Sequence, residues 1–228
     1  MYKNYYNKFT TLDENFLSSD YCLDIKSKVF NNKQYWQTHP GHSQVSFFPF
    51  GLYSVDIETY KKNLDLYKSL MYGLFEPYYM KLINFLHQNL ELEISFHDNL
   101  HYPGFHISNS QPMVNPNFHV DKFPNLRYFL QKKEAFYFGN PKILSVILVV
   151  NTLSKDTGLL LRNKVLSESD RHTFKFDDFI EYKQGMLAMW DGERQHSIKP
   201  FIPKDADDVR LTMQCHIAIS NNRGIIFW

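Results

Sequence analysis

Between residues 57 and 90, apolar residues recur at steps of three and four, which is the spacing of one face of an α-helix. The residues on this face are Leu64, Tyr67, Leu70, Met71, Leu74, Phe75, Tyr79, Leu82, Ile83, Leu86 and Leu90. Pro77 lies within the stretch, and proline fits the first turn of a helix. The pattern therefore predicts either two consecutive helices or one kinked helix.

After residue 90 the apolar runs become short and are separated by proline, glycine and asparagine. The segments with the composition of strands are Leu92–Phe96, His101–Ile107, Phe118–Asp121, Ile143–Asn151, Gly158–Leu161, Met186–Trp190 and Val209–Ile219. Because no long helical pattern separates them, a sandwich or barrel is favoured over a parallel α/β sheet. We expect a single domain over residues 1–228, with mainly helical support in 1–90 and an all-β core in 91–228. Residues 1–50 show no clear pattern.

Composition narrows the class of protein. The chain has 228 residues, of which 43% are hydrophobic and 17% aromatic, enough for one domain with a sizeable core. The 25 Lys and Arg residues nearly balance the 24 Asp and Glu residues, so no strong field would attract nucleic acid. The N-terminus lacks the apolar segment of a signal peptide, and no apolar run approaches the roughly 20 residues of a membrane span. We expect a cytoplasmic protein with neither nucleic acid nor membrane as partner.

The cysteines exclude two further classes of site. Cys22 and Cys215 are too few for a disulfide framework or a cysteine-ligated zinc site. They are expected to be free thiols in a reducing compartment.

The first candidate for chemistry is the sequence Phe118-His119-Val120-Asp121. Residues i and i+2 of a strand share a face, so His119 and Asp121 would present an imidazole and a carboxylate side by side. These are two of the three ligands of a 2-His-1-carboxylate iron site. On these residues alone, a pair of surface polar groups in a loop after Asn115-Pro116-Asn117 remains an open alternative.

A second histidine and an arginine follow on later strands. His196 comes after an apolar strand and a glycine-containing turn, and Arg210 lies 14 residues further on. With period two, Arg210, Thr212, Gln214 and His216 share one face of the last predicted strand. A buried guanidinium needs an anionic partner, and a carboxylate ligand gripped by Arg210 would supply one.

The order of these residues resembles the Fe(II)/2-oxoglutarate-dependent dioxygenases, in the style of the prolyl-hydroxylase-like branch and the small amino-acid hydroxylases. His-x-Asp is followed about 75 residues later by a Gly-led strand ending in His-x-x-x-Pro, and then by Arg-x-Thr. Tyr102-Pro103-Gly104-Phe105-His106 and the runs 148–151 and 157–161 also resemble strands of that family. The resemblance extends from Tyr102 to Ile219, about half of the chain.

The resemblance implies a double-stranded β-helix, or jelly roll, with a metal near one mouth. It implies that His119, Asp121 and His196 bind Fe(II), and that 2-oxoglutarate and O2 are co-substrates. Arg210 would pair with the distal carboxylate of 2-oxoglutarate, with Thr212 and Tyr102 contributing to the same pocket. Because Asp121 fills the position where related halogenases leave room for chloride, the implied reaction is hydroxylation, with desaturation or ring formation as variants on the same iron.

Other residues are weaker candidates. His106, Arg162 and Gln214 are candidates for contacts with substrate, although His106 is also compatible with a structural role and Arg162 with a surface position. His216 is expected in the core or next to the metal ligands. The segment 123–140 is either a lid over the metal or an exposed amphipathic helix. The apolar C-terminus, Ile225–Trp228, is expected to pack back on the protein, near the site or in a homodimer contact.

Three hypotheses for function follow. The first is a hydroxylase of a small polar molecule, such as a free amino acid or a natural-product intermediate, favoured by the single domain and the lack of basic patches. The second is a hydroxylase of a peptide or protein residue, for which the same motifs would serve. The third is a non-catalytic jelly-roll module that binds a metal or ligand and has no need of Arg210.

Overall fold

The structure is a computed structural model. It describes residues 10–31, 36–38, 44–47, 77–96, 104–108, 114–121, 142–152, 157–163, 168–170, 172–205, 207–220 and 222–227. The predicted lid at 123–140, Tyr102 and most of the predicted helical stretch 57–76 lie outside these residues.

Strands dominate the described residues. They are β1 (Thr11–Asp13), β2 (Trp36–Thr38), β3 (Gln44–Phe47), β4 (Glu93–Phe96), β5 (Gly104–Ser108), β6 (Lys142–Asn151), β7 (Gly158–Arg162), β8 (Asp178–Glu181), β9 (Leu187–Asp191), β10 (Gln195–Ile198), β11 (Leu211–Ser220) and β12 (Arg223–Phe227). The helices are α1 (Ser19–Asn31), α2 described over 77–90, and a short 3-10 helix at Glu168–Asp170. Of β2, β3 and β5 only the backbone is described.

The larger sheet is built around β6 and β11. Its strand order is β1-β9-β6-β11-β5-β3-β2, and β12 pairs with both β11 and β4. The pairings are antiparallel except that of β12 with β4. β6 and β11 are continuously apolar on one face and run side by side from 142 to 151 and from 211 to 219. They are adjacent interior strands of the larger sheet.

The smaller sheet has the order β10-β7-β8, again antiparallel. A single bridge between His119 and His196 adds the segment 118–121 to its edge. Leu159, Leu161 and Ile180 of this sheet pack against Ile147 and Val149 of β6. The two sheets thus face each other across an apolar interior. This confirms the predicted jelly roll.

The helices cover the outer face of the larger sheet. Cys22, Ile25 and Val29 of α1, together with Leu82 and Leu86 of α2, are fully buried in one cluster. The strand residues in this cluster are Leu144, Val146, Leu148, Val150, Leu187, Met189, Leu211, Met213, Cys215, Ile217 and Ile226. Both cysteines are buried free thiols, as the sequence predicts. Neither helix, over the part of the chain that the structure describes, has the length and apolar character needed to cross a bilayer.

The C-terminus is part of the fold. β12 adds to β11 by antiparallel pairing, and Ile225 and Ile226 are fully buried. The prediction that this apolar stretch packs back on the protein is therefore confirmed for Ile225 and Ile226, which belong to a strand of the larger sheet, while Trp228 lies outside the described residues.

Several strands were not apparent in the sequence. β1 to β3 come from the first 50 residues, where no pattern was clear, and β8 and β10 are only four residues long. In contrast, the structure shows a single bridge at His119 where the sequence predicts a strand over Phe118–Asp121. Pro116, just before this segment, cannot donate a ladder hydrogen bond.

Candidate metal centre

Two segments that are far apart in sequence meet through their backbones. His119 N–H donates to the carbonyl of His196 at 3.0 Å, and His196 N–H donates to that of His119 at 2.8 Å. Asp121 N–H donates to the carbonyl of Gly192 at 3.1 Å, in the turn that leads into β10. These reciprocal bonds fix the segment 119–121 against the strand that carries the second histidine.

The side chains of the three predicted ligands converge. One potential ligand atom from each of His119, Asp121 and His196 lies within 4.8 Å of the other two. The two imidazole ring centres are 4.4 Å apart, and His196 Nε2 is 3.6 Å from Asp121 Oδ1. His196 is buried, Asp121 is half-buried and His119 is exposed, so the cluster opens to solvent on one side.

Backbone carbonyls set the tautomers of both histidines. Nδ1 of His119 lies 2.9 Å from the carbonyl oxygen of Asn117, and Nδ1 of His196 lies 3.1 Å from that of Arg194. A carbonyl oxygen only accepts, so each Nδ1 must carry the proton and donate it. Each Nε2 then has its lone pair available, which is the arrangement that metal-binding histidines usually have.

The electrostatics favour the charge states that bind a metal. Burial raises the pKa of Asp121, but a hydrogen bond from His216, the nearby imidazoles and a hydrogen bond from Ser145 outweigh it, so its pKa lies well below the usual value. Burial lowers the pKa of His196 to about 4, despite the opposing charge of Asp121. An ionised carboxylate beside a neutral imidazole is the state required of metal ligands.

This donor set fits iron. Two imidazole nitrogens and one carboxylate oxygen form the 2-His-1-carboxylate set that non-haem Fe(II) takes with open coordination positions. The aromatic ring of Trp190 packs edge-on against His196, with ring centres 5.1 Å apart. This contact and the hydrogen bond at Nδ1 hold the buried imidazole in one orientation.

Arg210 and Thr212 lie inside the jelly roll. Both are fully buried, and Arg210 has its guanidinium 5.9 Å from the ring centre of Tyr182. Tyr182 belongs to the cluster between the two sheets, so Arg210, which immediately precedes β11, lies on the same inner side as His216. Burial raises the pKa of Tyr182, while the positive charge of Arg210 acts in the opposite direction.

Arg162 is held inside the protein by several hydrogen bonds. It is buried, and its guanidinium donates to the carbonyls of Lys175, Asp170 and Thr173 and to the Thr173 hydroxyl. Its carbon Cζ lies 3.4 Å from the ring centre of Phe118. Arg162 thus ties the chain after the 3-10 helix to the segment that carries His119, and the alternative of a surface position is wrong.

The other weak candidates are only partly placed. Gln214 lies on β11, between Thr212 and His216, and is partly buried. The backbone of His106 pairs with Thr212 across β5 and β11, and its side chain, like all of Tyr102, lies outside the described residues. Contacts of these residues with substrate or co-substrate stay predictions.

Two further residues lie at the candidate metal centre. The sequence did not predict Ser145, and it predicted only a general position for His216. His216 Nε2 is 3.3 Å from Asp121 Oδ2, and the Ser145 hydroxyl donates to the same oxygen. The signal for His216 was its period-two relation to Arg210, which predicted a place in the core or near the ligands. The signal for Ser145 was a single polar residue inside the apolar run 143–150.

Comparisons with known proteins give only distant similarities. No protein-family model matches the chain, and no curated protein matches its sequence. A prolyl-4-hydroxylase from Pseudomonas putida is 13% identical, with 94% of each chain covered and a TM-score of 0.47. An N-substituted L-amino acid dioxygenase from Burkholderia ambifaria, in complex with α-ketoglutarate, is 12% identical, with 96% of this chain and 86% of that chain covered and a TM-score of 0.47.

A further similar structure is the non-haem α-ketoglutarate-dependent epimerase from nogalamycin biosynthesis. It is 7% identical, with 92% of this chain and 81% of that chain covered and a TM-score of 0.49. Similarities this distant assign no family to the chain. The chain's own residues define a jelly-roll protein with a His-Asp-His group that could hold a metal ion.

Proposed function

We propose that this protein is an Fe(II)/2-oxoglutarate-dependent dioxygenase that hydroxylates a small polar molecule. The observation that carries the proposal is the convergence of His119, Asp121 and His196, whose ligand atoms lie within 4.8 Å of one another. Two segments separated by some 75 residues supply these atoms, and reciprocal backbone hydrogen bonds hold them together. A surface cluster of polar residues would need neither feature.

Bound iron would supply the redox chemistry: 2-oxoglutarate, O2 and a C–H substrate give succinate, CO2 and the hydroxylated product. One oxygen atom goes into succinate and the other into the new hydroxyl group. His119 and His196 would bind the metal through Nε2 and Asp121 through its carboxylate. The protein's own contribution is to hold these three donors in place and to leave the remaining coordination positions accessible.

Arg210 is proposed to bind the distal carboxylate of 2-oxoglutarate. A fully buried guanidinium in an apolar interior is costly unless a charge-assisted partner offsets it. Arg210 Cζ lies 5.9 Å from the ring centre of Tyr182, and the distal carboxylate of a bound keto acid would add a charge-assisted partner to that contact, with Thr212 contributing a hydroxyl donor.

The substrate is proposed to be a free amino acid or a related intermediate. With 25 Lys and Arg residues against 24 Asp and Glu residues, the net charge of +1 gives the chain no strong overall attraction for a polyanion. The exposed side of His119 gives access to the metal from solvent. Substrate contacts are assigned to Gln214 and His106.

The first experiment tests the metal and the co-substrate. Anaerobic protein is titrated with Fe(II) and then with 2-oxoglutarate, and the visible charge-transfer absorbance is recorded. On admission of O2, succinate is measured. We expect one iron per chain, an absorbance that needs both additions, and succinate formation that His196→Ala abolishes. Stoichiometric iron binding without absorbance or succinate would favour a non-catalytic metal-binding module.

The second experiment tests the substrate class. Succinate formation is measured with a panel of free amino acids and with short peptides that contain the same residues. The proposal is supported if free amino acids stimulate succinate formation at least as strongly as the peptides do. Stimulation by peptides alone would overturn the substrate class and favour a peptide hydroxylase, while leaving the metal centre unaffected.

A further inference from the structure

The carboxylate of Asp121 has two different sides. Oδ1 lies 3.6 Å from His196 Nε2, on the side where the predicted ligand atoms converge. Oδ2 accepts a hydrogen bond from the Ser145 hydroxyl and lies 3.3 Å from His216 Nε2. One oxygen therefore faces the candidate metal position, and the other is held by protein donors.

The two residues at Oδ2 are placed by strand register. Ser145 of β6 and His216 of β11 are directly opposite each other in the antiparallel pairing. Directly opposed residues share a face and have their Cβ atoms about 5 Å apart, so both side chains reach the same inter-sheet space. Their flanking residues, Leu144, Val146, Cys215 and Ile217, face the helices instead. The position of the pair is thus fixed by the pairing of two interior strands of the larger sheet.

The backbone next to the pair also fits closely. An added Cβ at Gly192 would lie 3.2 Å from the Ser145 hydroxyl oxygen and 3.1 Å from Cγ2 of Ile143. Gly192 is the residue whose carbonyl accepts the Asp121 N–H. The absence of a side chain there lets the turn before β10 approach β6, so that Asp121 reaches Ser145 and His216.

We infer that Ser145 and His216 position Asp121 so that it binds the metal through Oδ1 alone; this rests on the proposed function. A carboxylate that is free at both oxygens can bind a metal through both and so occupy an extra coordination position. With Oδ2 held by two donors, Asp121 occupies one position. The positions needed for the keto acid and O2 remain open. Ser145 and His216 are positioning residues, because they act through Asp121.

The test uses variants that keep or remove the donor. His216→Leu removes the imidazole donor at similar volume, whereas His216→Gln keeps an N–H donor. Ser145→Ala removes the hydroxyl with little change in volume. His87→Gln, at an exposed position on α2, is the matched histidine control. Each full-length protein is titrated with Co(II) in place of Fe(II), and both the dissociation constant and the visible absorption spectrum are measured.

We expect His216→Leu to raise the dissociation constant for Co(II) by about 10–100-fold, as is typical when a group that orients a metal ligand is lost. We also expect its spectrum to change, because Oδ2 becomes available to the metal. Ser145→Ala should also raise the dissociation constant for Co(II) and change the spectrum. His216→Gln should give values between those of His216→Leu and the wild type. His87→Gln should match the wild type.

The outcomes separate this inference from the proposed function. Wild-type affinity and spectrum in both His216→Leu and Ser145→Ala would overturn the inference and leave the metal centre intact. Failure of the wild-type protein to bind Co(II) or Fe(II) stoichiometrically would overturn the proposed function and the inference with it. If His216→Leu does not fold, Ser145→Ala decides, because an unchanged spectrum and affinity in that variant would overturn the inference by itself.

Discussion

The two faces of β11 serve different purposes. Leu211, Met213, Cys215 and Ile217 face the helices and are fully buried among apolar side chains. Thr212, Gln214 and His216 alternate with them and face the interior between the sheets, and Arg210 immediately precedes the strand on that same side. The outer face stabilises the fold by burial of apolar area. The inner face contains polar groups whose burial is unfavourable, and the proposed binding of a metal and a co-substrate accounts for them.

The difference implies that stability and activity can be separated by substitutions only a few residues apart. A change on the inner side should affect metal or co-substrate binding at little cost in stability. A change on the outer side should do the reverse. Four substitutions or conditions test this contrast.

The largest effect is expected from Asp121→Ala. Loss of the only carboxylate among the three candidate ligands should reduce Fe(II) binding and succinate formation below detection, because neutral imidazoles alone do not match the charge of the metal. The metal-free variant should stay folded with a modestly lower thermal midpoint, because the contacts of Asp121 with Ser145 and His216 are lost. Titration with Fe(II), succinate assays and thermal unfolding check this. Retained turnover would remove Asp121 from the centre.

On the opposite side, Met213→Ala should lower the free energy of unfolding by about 2–5 kcal/mol, since it deletes a fully buried side chain from the cluster under the helices. The affinity for Fe(II) at low temperature, where the variant is folded, should be unchanged. Urea unfolding and metal titration measure the two quantities. A loss of metal affinity comparable to that of Asp121→Ala would contradict the separation of the faces.

Acid should destabilise the metal-free protein by protonating His196, which faces the candidate metal position. The pKa of His196 is lowered to about 4 in the folded state and lies near 6.5 when the chain is unfolded, so protons bind preferentially to the unfolded state. The stability it contributes is present above pH 6.5 and is lost as pH falls from 6.5 to 4, at up to about 1.4 kcal/mol per pH unit. Urea midpoints across this range should fall less steeply in His196→Gln, whereas His87→Gln should follow the wild type. Equal slopes in all three proteins would contradict this assignment.

The smallest effect is expected from Gly192→Ala. Its Cβ would lie 3.1–3.3 Å from atoms of Ile143 and Ser145, so these side chains must shift by a few tenths of an ångström. We expect a loss of stability of about 1 kcal/mol. Metal affinity should fall several-fold, because the Ser145 hydroxyl moves relative to Asp121. Gly224→Ala, where the added Cβ meets the end of the Ile94 side chain, is a glycine control away from the centre. It should leave metal affinity unchanged.

The resemblance implied the jelly roll and the grouping of His119, Asp121 and His196, whereas local patterns predicted the strands, the helical stretch and the shared face of His119 and Asp121. Period-two alternation separated Thr212 and His216 from Met213 and Cys215: the latter two pack in the cluster under the helices, whereas His216 contacts Asp121. The helical period around Leu82 and Leu86 marked residues that are fully buried. Such periodicities depend only on neighbouring positions.

What the sequence did not predict depends on non-local pairing. The contact of Ser145 with His216 follows from the register of β6 against β11, which no local pattern specifies. The structural role of Arg162 was not predictable from sequence, since most of its hydrogen-bond partners are backbone carbonyls, which every residue has. The short strands β8 and β10 contain too few residues for alternation to be visible.

The reciprocal backbone bonds between His119 and His196 have a consequence for how such a centre can change. The spacing of the two nitrogen donors depends on main-chain atoms, which substitution of neighbouring side chains leaves in place. The pocket wall and the chain between the two histidines can therefore diverge in sequence and length while the donor spacing is kept. A protein built this way can acquire a new substrate without having to rebuild its metal site.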